Sequence, residues 1–321
     1  MSLLEVRDLE LHYPVESSGW LGAARSVQAV RGVSFDLAAG ETLGVVGESG
    51  CGKSSIAKSL VLLNKPQHGR IRFQGKDILR LNRAERKAYR RSVQMVFQDP
   101  YGSLNPKLTV GASIAEGIEV HGLYADRSEI RKAVVELLDR VGLPEAMIDR
   151  YPSEFSGGQR QRIGIARALA VRPELIVCDE PVSALDVSVQ AQIVNLLQTL
   201  QQNSGLSYLF ITHDLAVVEH LSRRIIVMYL GRIVEEGLAQ DVVGQPKHPY
   251  TKALVAAVPG GSHRGSPSEG VLQGDVPSPL DPPSGCAFHQ RCPLAEDRCR
   301  TLDPLLKDVE DSRRVACHLV E

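Results

Sequence analysis

Residues Gly47-Glu48-Ser49-Gly50-Cys51-Gly52-Lys53-Ser54 fit the pattern G-x-x-x-x-G-K-S/T, directly after the apolar run Leu43 to Val46 and ahead of a helical pattern from Ser55 to Leu63. Their chemistry is that of a polyphosphate cradle. Glycines let backbone N–H groups curl around a phosphate at a helix N-terminus, where the helix dipole favours negative charge. Lys53 adds a mobile positive charge and Ser54 offers a hydroxyl to Mg2+. Gly47, Ser49, Gly50, Gly52, Lys53, Ser54 and Ser55 are therefore the candidate nucleotide contacts. A chance glycine-rich turn would need neither the preceding strand nor the following helix.

A second constellation is the apolar run Leu175-Ile176-Val177-Cys178 ending in Asp179-Glu180. A buried strand releases its side chains at its C-terminal edge, where ligands of α/β sheets sit. Asp179 is suited to hold Mg2+ through water, and Glu180 to orient or deprotonate an attacking water. The alternative, a solvated carboxylate pair, loses ground once the cradle is granted. Farther upstream, Ser156-Gly157-Gly158-Gln159-Arg160 opens a helical pattern (Ile163, Ala166, Leu169, Ala170) stopped by Pro173, which places Ser156 as its N-cap. Alone, that is only a capped helix.

The elements that must position these groups read as an α/β domain. From Leu3 to about Glu236 short β-type runs alternate with helical patterns, among them Val93 to Val96, Leu209 to Thr212 and Ile225 to Met228. Their largely apolar character suits a parallel sheet covered on both faces. One helix is predicted in detail: Asp126 and Glu129 form a capping box, Ile130, Val134, Leu137, Leu138 and Val141 an apolar stripe, and Gly142 ends it before Pro144. It lies in a strand-poor stretch that reads as a helical insertion, and residues 259–285 read as a turn-rich linker.

Composition narrows the class. Of 321 residues, 43% are hydrophobic and 23% charged, enough to bury a core and too apolar for disorder. Thirty-seven basic residues against 38 acidic ones give a net charge of -1, so there is no basic field for nucleic acid. No apolar run approaches the ~18 to 20 residues that cross a bilayer, and Met1 to Leu11 does not read as a signal peptide. A cytosolic chain, or one that docks on a membrane, is expected.

With these residues in place the chain resembles the ATP-binding subunit of an ABC transporter. Phe155-Ser156-Gly157-Gly158-Gln159 resembles the family signature, with Phe155 where Leu is commoner. Gln98 in Val96-Phe97-Gln98-Asp99 resembles the Q-loop, Ser183-Ala184-Leu185-Asp186 the D-loop, His213 in Ile211-Thr212-His213-Asp214 the switch histidine, and Tyr13 the adenine-stacking aromatic. The resemblance implies a P-loop fold with a parallel-sheet core, an antiparallel β part and a helical subdomain at about 100–165, all within residues 1–236. It also implies roles: Glu180, His213 and Gln98 in catalysis, Ser54, Gln98 and Asp179 at Mg2+, and Ser156, Gly157, Gly158 and Gln159 on the ATP of a second ATPase subunit. A soluble ABC ATPase acting on nucleic acid or ribosomes is the alternative; such proteins usually add a coiled coil or a second cassette, and neither is present.

Residues 237–321 form a small C-terminal extension. Lys247 to Leu254 and Gly285 to Cys292 resemble the tail of oligopeptide and dipeptide importer ATPases. This implies a peripheral subunit at the cytoplasmic face of the membrane. Its implied partners are a related but different second ATPase, two transmembrane permeases and an extracytoplasmic solute-binding protein. Cys286, Cys292, Cys299 and Cys317 are separated by five, six and seventeen residues, whereas zinc sites usually begin with a closer pair. Zinc, unligated thiols and a four-iron, four-sulfur (4Fe-4S) cluster all stand as readings, and the resemblance implies the cluster. His289 and His318 are nearby substitutes for a ligand. Cys51 and Cys178 read as packing positions.

Overall fold

The computed structural model describes residues 2–15, 25–258 and 274–320; most of the predicted linker lies outside them. In chain order, strands β1 (Ser2–Val15) and β2 (Arg25–Ala38) lead to β3 (Thr42–Val46), the phosphate loop and helix α1 (Lys53–Leu60). Strands β4 (His68–Phe73) and β5 (Lys76–Asp77), helix α2 (Arg83–Ser92) and strand β6 (Val93–Val96) follow. Helices α3 (Val110–His121), α4 (Arg127–Arg140) and α5 (Gly157–Leu169) come next without an intervening strand. Then come β7 (Leu175–Asp179), α6 (Val187–Ser204) and β8 (Ser207–Thr212). The remainder holds α7 (Leu215–Leu221), β9 (Arg224–Tyr229), β10 (Arg232–Leu238), α8 (Ala239–Gly244), α9 (Pro249–Ala256), α10 (Asp297–Thr301), β11 (Lys307–Glu310) and β12 (Arg313–Val315).

These elements divide into two compact units. One comprises Ala38–Glu41 and Arg80–Leu209, the other Ser2–Leu37, Thr42–Leu79 and Phe210–Glu321. The first is mostly helical. Its parallel pair β6 and β7 is in register from Val93 with Leu175 to Val96 with Cys178, and every residue of β7 is buried, as an unbroken apolar run requires. The helix expected from Asp126 is α4, with Val134, Leu137 and Leu138 buried. Asp126 is its N-cap residue, but the expected capping box is not formed, and the Asp126 carboxylate accepts from the Ser128 hydroxyl.

The second unit is β-rich. Strands β2, β1, β4 and β5 make one sheet, with β1 and β4 antiparallel from Leu4 opposite Phe73. In the other sheet β3 runs parallel to β9 (Leu43 opposite Arg224), β9 pairs antiparallel with β10, and the tail adds β12 and β11 beyond β10. Close packing fixes small residues here: a Cβ on Gly44 would lie 2.1 Å from Val218 Cγ1 of α7. Where the tail joins β10, the buried Arg313 guanidinium donates to Glu235 Oε1 at 2.6 and 3.2 Å. The backbone N–H groups of Lys247 and His248 donate to the same carboxylate, so a charge 0% exposed is fully hydrogen-bonded.

Candidate functional site

In the β-rich unit the chain leaves β3 at Val46 and turns into α1 through the glycine-rich loop. Two glycines there are obligatory. At Gly47 a Cβ would meet the Met228 carbonyl oxygen at 2.2 Å, and at Gly52, with φ +105°, it would meet that of Ala29 at 2.1 Å. Neither backbone neighbour can give way. The first turn of α1 carries no acidic residue, leaving its N-terminal dipole free for an anion. Lys53 is 4% exposed, and its ammonium donates to the carbonyls of Gly47 at 2.6 Å and Glu48 at 3.0 Å. Ser49 and Gly50 are exposed at the crest, while Ser54 and Ser55 are half-buried at the helix start. The chemistry of this loop and helix start fits a polyphosphate with its cation.

Tyr13 stands beside the same helix. Its hydroxyl donates to Ser55 Oγ at 3.1 Å and accepts from Asn64 Nδ2 at 2.6 Å, fixing the ring's edge. Asn64 was not singled out by the sequence, since nothing local marks a residue 51 positions from its partner. His213 is exposed just beyond β8, between Thr212, whose hydroxyl accepts from the Asp214 N–H, and the Asp214 side chain that caps α7. Cys51 is 2% exposed and burial raises its thiol pKa, opposing the reactivity that a helix N-terminus would lend it. Cys178 is likewise buried and raised, as a packing residue should be.

In the helical unit Asp179 ends β7 and Glu180 follows it directly, 5% and 8% exposed. Glu180 has φ +46°, a left-handed conformation that a non-glycine residue adopts at a cost, and the following turn holds it there. The Ser183 hydroxyl and N–H both donate to the Glu180 carbonyl. Gln98 Nε2 donates to Glu180 Oε2 at 3.1 Å, so the predicted Q-loop amide and the predicted base meet. The motif signal found both residues; the strained backbone was not legible.

The signature helix is capped as expected. Ser156 Oγ accepts from the Gln159 N–H at 3.4 Å and Gln159 Oε1 accepts from the Ser156 N–H at 3.0 Å. A Cβ on Gly157 would lie 3.3 Å from Leu185 Cδ2 in the predicted D-loop, and one on Gly158 2.4 Å from Val189 Cγ1 in α6. The helix is also tied to the Q-loop stretch. Arg160 stacks over Tyr101 at 3.9 Å from the ring centre, and Arg167 donates to the Ser103 carbonyl. Neither tie was predicted.

In the tail, Cys286, Cys292 and Cys317 are half-buried and Cys299 is buried. Burial, with the other three thiols adding to it, pushes Cys286 up to about 11, and burial also raises Cys292 and Cys317. Among the described residues, however, no group of three or more His, Cys, Asp or Glu is arranged to hold a metal ion. The cluster expectation thus meets no ready ligand set there. Two backbone contacts, His289 Nδ1 to the Cys286 carbonyl and His318 Nε2 to the Leu302 carbonyl, occupy the two histidines.

Two family models match the chain: ABC transporter over residues 30–183, and oligopeptide/dipeptide transporter, C-terminal region, over 234–299. It is 54% identical to a probable peptide ABC transporter ATP-binding protein, y4tS, of Sinorhizobium fredii, across 99% of this chain and 90% of that one. It is 51% identical to the oligopeptide transport ATP-binding protein AppF of Bacillus subtilis, across 99% and 97%. Among solved structures, the cbiO1 protein of Clostridium perfringens, part of the complex cbiONQ, superposes with a TM-score of 0.65 at 29% identity, covering 76% of this chain and 91% of that one. The dimeric cassette MJ0796 bound to ADP and Pi gives 0.65 at 28% identity, covering 74% and 98%.

Proposed function

We propose the working parts of a peptide importer's motor for this chain, which belongs to the ABC transporter ATP-binding subunits of the oligopeptide and dipeptide group. It is an ATPase that powers import of peptides through membrane permease partners. Lys53 and the loop N–H groups hold the phosphates, and Tyr13 stacks on the adenine. Ser54, Gln98 and Asp179 hold Mg2+, which supplies charge neutralisation on the transferred phosphoryl group. Glu180 takes the proton of the attacking water, and His213 donates a hydrogen bond toward the charge that develops. Ser156, Gly157, Gly158 and Gln159 present a helix N-terminus to the nucleotide held by the other ATPase subunit.

Among the described residues no helix is long and apolar enough to cross a membrane. We place the chain peripherally on the cytoplasmic side of two permeases, with a related second ATPase and an extracytoplasmic solute-binding protein completing the assembly, and nucleic acid taking no part. A boundary near residue 236 is supported by the tail-region match, which begins at residue 234. The four cysteines Cys286, Cys292, Cys299 and Cys317, concentrated in the tail sequence, are the residues that would hold a 4Fe-4S cluster, although they do not stand as a preformed ligand set. Iron, acid-labile sulfide and absorbance near ~400 nm in anaerobically purified protein are expected; colourless, iron-free protein would remove the cluster.

The observation that carries the motor reading is the contact of Gln98 with Glu180 in a chain whose tail matches the oligopeptide/dipeptide region. The test is co-purification with its permeases followed by ATPase assay in liposomes. Turnover should rise when peptide-loaded binding protein is added; recovery on ribosomes or DNA, with no permease, would overturn the reading.

A further inference from the structure

Glu48, the second residue of the phosphate loop, is held from three sides, two of them by residues far downstream. Its N–H donates to the hydroxyl of Tyr250 in α9 at 2.9 Å, and its carboxylate receives both arms of Arg291 at 2.7 and 3.1 Å. Its carbonyl accepts from Lys53. Arg291 has a side chain only 5% exposed and reaches Glu48 across 243 residues of sequence. Tyr250 is fully buried.

The tail builds this contact deliberately. Gly285 turns with φ +69° so closely against Cys299 that a Cβ would lie 2.5 Å from its carbonyl oxygen, and Cys286 N–H donates to that same oxygen. Successive turns then bond His289 N–H to Cys286 and Arg291 N–H to Phe288. They bring the buried Phe288 edge-on to Tyr229 at 5.2 Å and within 5.5 Å of the Tyr250 ring. Phe288 is the anchor, and Arg291 is the group it delivers.

We infer that the tail is a brace on the phosphate cradle, with Arg291 and Tyr250 acting as positioning residues that hold Glu48 for nucleotide. The physical need is clear. An unpaired carboxylate within the cradle would repel a polyanionic substrate, and a bidentate guanidinium both neutralises it and fixes its direction. Tyr250 in turn consumes an N–H that a loosened loop would leave unsatisfied. The inference rests on the nucleotide-binding reading and goes beyond it.

Titration of the full chain with a fluorescent N-methylanthraniloyl ATP and Mg2+ separates the two. Failure of the unsubstituted chain to bind would sink the nucleotide reading itself. If it binds, Arg291→Met should weaken affinity about tenfold (~1.4 kcal/mol), and adding Glu48→Gln should return it to within about threefold, because the offending charge is gone. A residue that merely stabilised the fold would give no such rescue. Tyr250→Phe, which keeps the ring packing, should weaken binding about threefold. In the assembled transporter the Arg291 and Tyr250 changes should raise KM for ATP while kcat moves less than about twofold. Affinities within about twofold of the parent for Arg291→Met and Tyr250→Phe, or no recovery in the Glu48→Gln double variant, would overturn the brace.

Discussion

The charge and backbone of single residues account for most of the chemistry. Glu180 combines a carboxylate that Gln98 touches with a left-handed backbone, so its oxygens are aimed by a turn that costs stability. Glu180→Gln keeps the shape and removes the proposed base. It should bind ATP and hydrolyse it at least ~100-fold more slowly, and near-normal turnover in a single-turnover phosphate assay would refute the assignment. Gly158 is constrained by space alone: in Gly158→Ala the new methyl meets Val189, and the start of α5 must move against α6. A loss of about 1 to 3 kcal/mol in urea unfolding, with ATPase activity falling further than stability, is expected.

Elements differ in how plainly the sequence announces them. The cap at Ser156, the apolar strands and the phosphate loop were legible because their causes lie within a few residues. Asp126 is the N-cap of α4 as its position suggests, but the capping box with Glu129 does not form and the carboxylate accepts from the Ser128 hydroxyl. The brace was not legible at all: Arg291 resembles any charged residue until the fold brings it to Glu48. The same holds for the junction of β10 with β12, where Arg313 and Glu235 are buried together. Arg313→Met should cost about 3 to 5 kcal/mol in chemical denaturation by stranding the Glu235 charge, whereas replacing both partners with apolar residues should cost less.

His248 gives that junction a pH dependence. Burial holds its imidazole neutral and lowers its pKa to about 3, while its Nδ1 accepts from the Tyr250 N–H. The unfolded chain takes up a proton near pH ~6.5 and the folded chain refuses it, so stability present above that value is lost as pH falls toward 3. The slope is up to ~1.4 kcal/mol per pH unit. Urea midpoints between pH 7.5 and 5 should fall less steeply for His248→Asn than for the parent; equal slopes would show that the histidine is not held neutral.

At the scale of the whole molecule the chain carries one phosphate cradle and one signature helix, so the proposed motor needs a second subunit at each nucleotide. Lys53→Ala then disables the site this chain cradles, and Ser156→Glu, which sets a negative charge at a helix N-terminus meant for phosphate, disables the partner's. The two lesions lie in one polypeptide but in different sites, and this distinguishes the possible assemblies. If two copies of this chain formed the motor, mixing the two variants would create dimers with one intact site and restore part of the ATPase activity. With a different chain as partner, every assembly contains one lesion or the other and mixing restores nothing. We expect no restoration when the two variants are co-expressed with the permeases and the related ATPase. Recovery toward the roughly one quarter of full activity that random pairing of identical chains gives would instead identify the partner as a second copy of this chain.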